Sequence, residues 1–417
     1  MNKLYIEGNK KLNGHVVISG SKNAALPILF MTILATEEIE IHNIPQVTDI
    51  KIAIKLLKYL GAKIKNKNKI LYIDTSSMNI YNPPYHLTKK IRASIWMLSP
   101  LVTRFGKAKI FFPGGCDIGC RPIDLHLKGL VSLGVKIIKK DNYIIALADR
   151  PLQGKHIYIE KISVGATVTI MSAATLAKGL TIIENAAQEP EIVDVAKFLN
   201  TLGANITGAG SNKIYITGVS KLYGGYHKII PDRIETGTFL IAAAISKGFI
   251  ICNKTEPKYL TNVLKKLSES GANIKVGKNW IKLDMQKKMP KAVNISTSPY
   301  PGFPTDMQPQ FTLLNSIAQG KSIIVENIFE NRFVYTNELI RMGAKIKIKK
   351  NYIVCTGTSK LSSNNLFCHD LRGSATLILA GCIANGITVV NNIHHFKRGY
   401  ESFMKKLNKL GANIKYI

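Results

Sequence analysis

A five-residue pattern close to Leu-Gly-Ala-Lys/Asn-Ile recurs six times along this chain of 417 residues. Each copy follows an amphipathic run and precedes a short β-prone run, which predicts the end of a helix, a glycine C-cap and the start of a strand. The copies lie 68 to 73 residues apart, a period that does not fit the common solenoids. Their glycines are Gly61, Gly134, Gly203, Gly271, Gly343 and Gly411.

A second element alternates with the first. Runs rich in small and apolar residues lead through a glycine into an alternating, strand-like segment, and they occupy 167–178, 236–247, 311–319 and 374–385. Because most of these runs are apolar almost all round, they predict buried helices. A chain of this length exceeds one hydrophobic core, so the sequence predicts two globular domains of three α/β units each.

The formal charge of +31 is carried mainly by lysine, since the chain has 48 Lys and only 9 Arg. We interpret most of this charge as a lysine-biased solvent face, although a basic chain also attracts phosphate-bearing ligands or nucleic acid. Each arginine is more informative than a lysine here, because only its planar fork binds a carboxylate or phosphate bidentately. The nine are Arg92, Arg104, Arg121, Arg150, Arg233, Arg332, Arg341, Arg372 and Arg398.

Composition also bears on compartment and cofactors. The first residues lack the apolar region of a signal peptide, and no stretch reaches the roughly 18 apolar residues of a membrane span. The cysteines form no Cys-x-x-Cys pair and have no histidine at zinc spacing. We therefore expect free thiols, a cytoplasmic location and no metal. The cysteines are Cys116, Cys120, Cys252, Cys355, Cys368 and Cys382.

The segment 112–126 reads Phe-Pro-Gly-Gly-Cys-Asp-Ile-Gly-Cys-Arg-Pro-Ile-Asp-Leu-His. It places Cys116 in a glycine-rich turn, where the backbone can adopt crowded conformations and a ligand can approach closely. Arg121 follows five residues later, and a neighbouring cation favours the reactive thiolate. We interpret Cys116 as a functional thiol rather than a small hydrophobe in a surface turn.

Two predicted helix starts are candidate anion sites. Lys22 and Asn23 precede a helix expected to begin near Ala24, and the segment 161–166 opens a second helix. Backbone N–H groups and the helix dipole favour an anion at such a position, although an ordinary polar cap explains either segment equally well.

Three further charged residues are candidates. Asp306 follows Thr305, a predicted N-cap, where an acidic side chain either complements the helix dipole or takes part in catalysis. Arg372 and Arg398 fall in predicted loop or helix-entry positions, where both are also compatible with plain surface residues.

Taken together, these segments resemble the UDP-N-acetylglucosamine 1-carboxyvinyltransferases, the enolpyruvyl transferases of peptidoglycan synthesis, over nearly the whole chain. The matching segments are Ser21-Lys22-Asn23-Ala-Ala-Leu-Pro, Arg92-Ala-Ser-Ile-Trp96, Pro113-Gly-Gly-Cys116, Arg121-Pro-Ile-Asp124-Leu-His126, Ser163-Val-Gly-Ala-Thr-Val, Pro231-Asp-Arg-Ile-Glu-Thr-Gly237, Phe303-Pro-Thr-Asp306-Met-Gln, Glu330-Asn-Arg-Phe333, Asp370-Leu-Arg372 and Arg398-Gly-Tyr-Glu401.

The resemblance implies an α/β fold, a two-domain inside-out α/β barrel with six βαβαββ-type units, three per domain, around buried helices. It implies a first domain over 22–229 with a mobile cysteine loop at about 112–122, and a second domain formed by 1–21 plus 230–417. The active site would lie in the cleft between them.

The implied reaction transfers the enolpyruvyl group of phosphoenolpyruvate to the 3′-hydroxyl of UDP-N-acetylglucosamine and releases phosphate, the first committed step of peptidoglycan precursor synthesis. Cys116 matches the family's general acid, which also forms a 2-(S-cysteinyl)pyruvic acid adduct and is alkylated by fosfomycin. Asp306 matches the proposed general base. Lys22 and Arg398 join them as catalytic residues.

The resemblance also implies the binding residues. Phosphoenolpyruvate would contact Lys22, Asn23, Arg121, Arg372 and Arg398. UDP-N-acetylglucosamine would contact Asn23, Arg92, Arg121, Pro122, Ile123, Asp124, Leu125, Lys161, Ile162, Ser163, Val164, Asp306 and Ile328. These two small molecules are the expected partners, with no cofactor, nucleic acid or membrane insertion, and a monomer is the expected state.

Two positions depart from the family pattern. Thr48 stands where relatives often carry lysine, which predicts weaker binding or altered domain closure unless a neighbouring lysine compensates. Cys120 stands where a small residue such as alanine is usual. Its distance of four residues from Cys116 would permit a regulatory disulfide, but drift between small residues is the simpler explanation.

Three alternative functions remain at this stage. The sister reaction on shikimate 3-phosphate is disfavoured by the Cys116 loop and by Arg121-Pro-Ile-Asp124. A nucleic-acid-binding protein would explain the charge, but the sequence lacks interleaved aromatic and basic motifs, and such binding would weaken steeply with salt. A degenerate UDP-sugar sensor would bind the nucleotide sugar without releasing phosphate.

Overall fold

The computed structural model describes residues 3–67, 69–114, 119 and 122–417. Within these ranges the helices α1 to α13 are, in chain order, Lys22–Met31, Thr48–Tyr59, Tyr85–Thr88, Leu98–Phe105, Asp124–Ser132, Val164–Ala174, Pro190–Thr201, Arg233–Ile245, Thr261–Glu269, Gln308–Ile317, Thr336–Arg341, Leu371–Ile383 and Phe403–Lys409. The strands β1 to β23 are Leu4–Glu7, Asn13–Val17, Ile39–His42, Lys63–Lys67, Ile70–Asp74, Lys107–Phe111, Lys136–Lys139, Tyr143–Leu147, His156–Tyr158, Leu180–Glu184, Asn205–Thr207, Lys213–Thr217, Gly225–Lys228, Phe249–Asn253, Asn273–Val276, Trp280–Asp284, Ile295–Ser296, Lys321–Val325, Lys345–Ile348, Tyr352–Thr356, Asn365–Phe367, Ile387–Asn391 and Asn413–Tyr416.

The described residues divide into two compact units, each with its own hydrophobic core. We call 20–114 with 122–230 the central body, and 3–19 with 231–417 the terminal body, because the latter contains both ends of the chain. Within each body the apolar helices lie inside and the sheets lie around them.

The predicted repeat is present in the sheets. In the segment β9-α6-β10-α7-β11-β12, the first two strands pair in parallel and the last two add in antiparallel fashion, giving the sheet order β11-β12-β10-β9. The same order of pairing builds four other four-stranded sheets, which confirms the predicted βαβαββ unit. Among the described residues, the remaining sheet has three strands, β6-β8-β7, and no sheet closes on itself.

Strands from distant parts of the sequence complete several of these sheets. Strand β1 pairs with both β22 and β23, and β2 pairs in parallel with β14. In the central body β13 pairs in parallel with β3. The sequence repeat alone did not show these long-range pairings.

The helices predicted to be buried are α6, α8, α10 and α12, and every residue of α8 is buried. Each begins three residues before the apolar run that predicted it, and in α8, α10 and α12 these three residues include a buried polar side chain, that of Arg233, Gln308 or Arg372. Side chains cap three of them: Ser163 caps α6, Asp232 caps α8 and Asp370 caps α12. No helix of the described ranges is long and apolar enough to cross a membrane.

The six pattern glycines all follow a helix and all have positive φ, between +94° and +106°. This confirms the predicted C-cap, which an L-residue adopts only with strain. The strand that follows each glycine begins two residues later, from β4 at Lys63 to β23 at Asn413.

We expect Gly271→Ala to lower the free energy of unfolding of the terminal body by about 1–2 kcal/mol. The φ of Gly271 is +95°, and no atom lies within 4 Å of an added Cβ, so the cost is backbone strain rather than a steric clash. Urea unfolding measures it, with Ser268→Ala on the exposed face of α9 as the control. Equal stability of the two variants would contradict the assigned strain.

Candidate active site

In the terminal body, Asp306 lies between two arginines. It sits in the short 3-10 turn Thr305–Met307, just before α10. Its Oδ2 accepts hydrogen bonds from Nη2 and Nε of Arg372 at 2.8 and 3.2 Å, and its Oδ1 accepts one from Nη2 of Arg332 at 2.9 Å. Both carboxylate oxygens are therefore bound by guanidinium groups.

The two arginines are among the most buried charged residues of the terminal body, each with an exposed fraction of 3%. Burial works against the charged form of Arg372, but the carboxylate of Asp306, followed by Tyr400 and Asp232, raises its pKa above the ordinary value. Nη1 of Arg372 and Nε of Arg332 are buried and have no hydrogen-bond acceptor among the described residues. Buried donors without acceptors are costly, so the cluster is suited to a further anion.

Arg372 is also supported from its other side. Its guanidinium lies 5.3 Å from the ring centroid of Tyr400, and Asp370 accepts hydrogen bonds from the backbone N–H groups of Arg372 and Gly373. The Tyr400 hydroxyl lies 3.0 Å from Oγ1 of Thr238, in α8. Burial raises the pKa of Tyr400, so its hydroxyl remains protonated. The interpretation of Arg372 as a surface residue is therefore wrong.

Glu326 organises the loops around Asp306. This buried carboxylate accepts hydrogen bonds from the hydroxyls of Thr305 and Thr297 and from the backbone N–H of Ile328. The prediction that Thr305 is an N-cap is wrong, because its hydroxyl donates to Glu326 and Pro304 precedes the turn. Half-buried Ile328 is thus tied to the same carboxylate as the Asp306 turn.

Arg398 ends the 3-10 turn Phe396–Arg398 in the terminal body and is half-buried. The same segment supplies Tyr400, whose ring stacks at 5.4 Å and 7° on Phe396. The sequence motif Arg398-Gly-Tyr-Glu401 therefore contributes a support for Arg372 as well as a candidate cation.

In the central body, Lys22 and Asn23 are the first two residues of α1, which begins two residues before its predicted start. The hydroxyl of Ser21 caps the helix by accepting from the backbone N–H of Ala24. Nζ of Lys22 lies 3.6 Å from Oδ2 of Asp49, and both side chains are largely buried. Lys22 is therefore a fixed cation at a helix N-terminus.

The predicted helix start in 161–166 is confirmed, since α6 begins at Val164. The hydroxyl of Ser163 accepts from the backbone N–H of Ala166 at 3.2 Å. Lys161 is exposed and Ile162 is half-buried. The carbonyl of Gly165 accepts a hydrogen bond from the indole of Trp96 at 3.3 Å, which joins this helix start to the 3-10 helix Arg92–Met97.

The remaining predicted sugar contacts of the central body lie at the start of α5. Asp124 is exposed and forms a 2.9 Å ion pair with Lys139, which lowers the pKa of the carboxyl. Pro122 is exposed, and Ile123 and Leu125 are half-buried. Arg92 is half-buried, and its charge adds to the effect of burial in lowering the pKa of the His126 imidazole.

The sequence analysis assigned no role to His126, which lies in α5 and packs against α6. Its Nδ1 lies 2.7 Å from Oγ1 of Thr169, and a Cβ added to Gly165 would lie 2.5 Å from its Nε2. Burial and then the charge of Arg92 lower its pKa to about 4. The imidazole is therefore neutral near neutral pH.

This neutral histidine predicts a pH dependence of stability. The unfolded chain takes up a proton on His126 below about pH 6.5, whereas the folded protein does so only near the pKa of about 4. The contribution of His126 to the free energy of unfolding is therefore complete above about pH 6.5. This contribution, on the order of 3 kcal/mol, is lost as the pH falls toward 4. The melting temperatures of the parent and the His126→Gln protein should converge in this pH window. The His15→Gln protein, which changes an exposed histidine, should follow the parent.

Thr48 is the exposed first residue of α2, beside buried Asp49, and nothing in the structure decides whether its departure from the family pattern matters.

Cys116, Arg121 and Cys120 lie outside the described residues. Of the other thiols, Cys355, Cys368 and Cys382 are buried with the pKa raised by burial to about 12, and burial also raises the pKa of Cys252. No three His, Cys, Asp or Glu side chains group as metal ligands within the described ranges.

Comparison with known structures supports the fold. The enolpyruvyl transferase NikO from Streptomyces tendae superposes with a TM-score of 0.91 at 24% identity, covering 100% of this chain and 98% of that chain. EPSP synthase from Acinetobacter baumannii superposes with a TM-score of 0.77 at 16% identity over the whole of both chains. The chain thus has the two-domain α/β fold of these enzymes.

Sequence comparison supports the family. A family model described as EPSP synthase (3-phosphoshikimate 1-carboxyvinyltransferase) matches residues 6–407. Proteins named UDP-N-acetylglucosamine 1-carboxyvinyltransferase are 75% identical in Buchnera aphidicola subsp. Schizaphis graminum and 60% identical in Wigglesworthia glossinidia brevipalpis, each over all of both chains. The protein of that name from Pectobacterium carotovorum is 56% identical over all of this chain and 99% of its own length. The chain belongs to the UDP-N-acetylglucosamine 1-carboxyvinyltransferase family of enolpyruvyl transferases.

Proposed function

We propose that this protein transfers the enolpyruvyl group of phosphoenolpyruvate to the 3′-hydroxyl of UDP-N-acetylglucosamine and releases inorganic phosphate, the first committed step toward peptidoglycan. The names of the full-length relatives support this acceptor over shikimate 3-phosphate. The observation that carries the chemistry is the pair of buried guanidinium groups around Asp306, two of whose nitrogens lack an acceptor in the part of the chain that the structure describes.

Phosphoenolpyruvate carries a carboxylate and a phosphate, so its site needs several fixed cations. Arg372 and Arg332 form a pair that already binds both oxygens of one carboxylate, Arg372 through Nε and Nη2 and Arg332 through Nη2. We assign this pair to the substrate carboxylate. Lys22, Arg121 and Arg398 then serve the phosphate, with Asn23 beside Lys22 at the start of α1.

The reaction proceeds by addition and elimination. Asp306 accepts the proton of the 3′-hydroxyl as the oxygen forms a bond to C2 of phosphoenolpyruvate, while Cys116 donates a proton to C3. In the second step the bond from C2 to the phosphate oxygen breaks, C3 loses a proton, and the enol ether and inorganic phosphate leave. The arginine pair holds the carboxylate attached to C2 throughout both steps.

The nucleotide sugar is assigned to the remaining candidates. The starts of α5 and α6, with Arg92, would hold it through Arg121 to Leu125 and Lys161 to Val164, and Asp306 and Ile328 would contact its sugar. The N-terminus of α6 offers backbone N–H groups and a favourable dipole to a diphosphate. Lys161 is exposed, so its ammonium group can contact the diphosphate.

Mass spectrometry of the nucleotide sugar tests the proposal. Incubation with phosphoenolpyruvate should convert UDP-N-acetylglucosamine to its enolpyruvyl ether, with one phosphate released for each ether formed. Binding of the UDP-sugar without an ether would support a sensor instead. Unchanged UDP-sugar with no binding would contradict the proposed function.

A further inference from the structure

Two residues with different proposed roles bind each other in this structure. Asp306, the proposed base, must offer an oxygen to the sugar hydroxyl, and Arg372, the proposed contact of phosphoenolpyruvate, must offer N–H groups to the substrate. In the structure, Oδ2 of Asp306 instead accepts from both Nε and Nη2 of Arg372. The same N–H groups cannot serve Asp306 and the substrate at once.

The other oxygen of Asp306 is bound in the same way. Oδ1 accepts from Nη2 of Arg332, so each oxygen already has a charged donor. The Asp306 side chain has an exposed fraction of 26%, whereas those of Arg332 and Arg372 are 3% and 4% exposed. The carboxylate is therefore the accessible member of the cluster, and the guanidinium groups are the buried ones.

The guanidinium groups have supports that do not depend on Asp306. Arg372 lies over Tyr400, and Asp370 caps the turn that carries it. Arg332 lies 5.6 Å from the ring centroid of Phe329. Nη1 of Arg372 and Nε of Arg332 also remain as buried donors without a described acceptor. An incoming carboxylate would thus meet a preformed site.

We propose that the carboxylate of Asp306 is an internal ligand of two guanidinium groups, those of Arg332 and Arg372. It stays bound to them until the carboxylate of phosphoenolpyruvate displaces it. The exchange replaces one carboxylate by another, so the pair keeps an anionic partner and no covalent bond changes. It also frees the oxygens of Asp306 for the 3′-hydroxyl, so that activation of the acceptor awaits the arrival of phosphoenolpyruvate. This inference rests on the proposed function.

Calorimetric titration with two unreactive probes tests the exchange. The probe 2-phospholactate carries a carboxylate and a phosphate, whereas ethyl phosphate carries the phosphate alone. Both are titrated into parent and Asp306→Ala protein at saturating UDP-N-acetylglucosamine. We expect the variant to bind 2-phospholactate roughly three- to tenfold more tightly, because the competing internal carboxylate is gone, and to bind ethyl phosphate with unchanged affinity.

Asp284→Asn in β16 is the matched control, since it removes a negative charge of the same body from a half-buried ion pair with Lys282. It should leave both affinities at the parent values. Circular dichroism checks that each variant is folded, and Asp306→Asn replaces the alanine variant if that protein does not fold.

An unchanged or weaker affinity for 2-phospholactate would overturn the exchange, as would absence of binding to both proteins. An equal gain for both probes would also overturn it, since that result reports general electrostatics rather than a vacated carboxylate site. Failure of the proposed function is recognised separately, by the absence of phosphate release from the parent with both substrates.

Discussion

Replacing Arg372 by lysine should lower kcat/KM for phosphoenolpyruvate by about 10²- to 10⁴-fold, through the loss of two charge-assisted hydrogen bonds. The guanidinium is 3% exposed and uses Nε and Nη2 together on one carboxylate. A lysine ammonium keeps the charge but cannot reproduce this fork, and its shorter reach leaves Asp306 or the substrate carboxylate with fewer donors. Steady-state phosphate release at varied phosphoenolpyruvate measures the effect.

The matched control is Arg341→Lys. Arg341 is a more exposed arginine of the same body, whose Nη1 donates to Glu338 at 2.9 Å. We expect its kcat/KM to stay within about threefold of the parent, because exposed ion pairs contribute little. A folded Arg372→Lys protein with a kcat/KM close to that of the parent would show that the guanidinium fork is not needed at this site.

Replacing Cys116 by alanine should reduce phosphate release by about 10²- to 10⁴-fold, the range typical of general acid–base catalysis. Cys116 is the only thiol that the family resemblance assigns to the reaction. The thiols at 252, 355, 368 and 382 are buried, and burial raises the pKa of each. They are therefore poor replacements for a reactive cysteine.

Cys120→Ala is the control for this prediction. It removes a thiol four residues from Cys116, at a position where the family pattern has a small residue, so we expect phosphate release at the parent level. The parent, but not Cys116→Ala, should also be alkylated by fosfomycin at this loop. Full phosphate release by the Cys116→Ala protein would exclude the thiol as the general acid.

The repeats were predictable because each requires a particular backbone. The six pattern glycines all adopt positive φ after a helix, a conformation that other residues take only with strain, so the signal was present in every copy. The repeat did not predict the pairing of β1 with β22 and β23, or of β2 with β14, since it joins segments hundreds of residues apart. Only the family resemblance placed 1–21 in one domain with 230–417.

Helix starts were predicted less well than helix interiors. The apolar run of each buried helix was recognised, but the first turn before it was missed in α8, α10 and α12. Those turns hold residues such as Arg233, Gln308 and Arg372, which a hydrophobic pattern assigns to a loop. All three are buried nevertheless.

The composition indicated part of the site. With lysine so abundant, the few arginines were the informative cations, and Arg332 and Arg372 are both buried against Asp306. Arg332 received no role from the sequence, although it stood in that short set and in the motif Glu330-Asn-Arg-Phe333. Its contact with Asp306 joins residues 26 positions apart and depends on the tertiary fold.

Glu326 and Tyr400 were missed for a different reason. Glu326 directly follows β18, and its buried role follows only from three loops that converge on its oxygens. Tyr400 was part of a recognised motif, but its position against Arg372 depends on the packing of Phe396–Arg398 on α12. Neither the spacing nor the composition carries that information.

Acceptor selection tests the central claim most directly. Phosphate release is measured with phosphoenolpyruvate and either UDP-N-acetylglucosamine or shikimate 3-phosphate, in parallel on the same protein. We predict release with the nucleotide sugar, none with shikimate 3-phosphate, and none when either substrate of the active pair is omitted. Release with shikimate 3-phosphate alone, or with neither acceptor, would contradict the account.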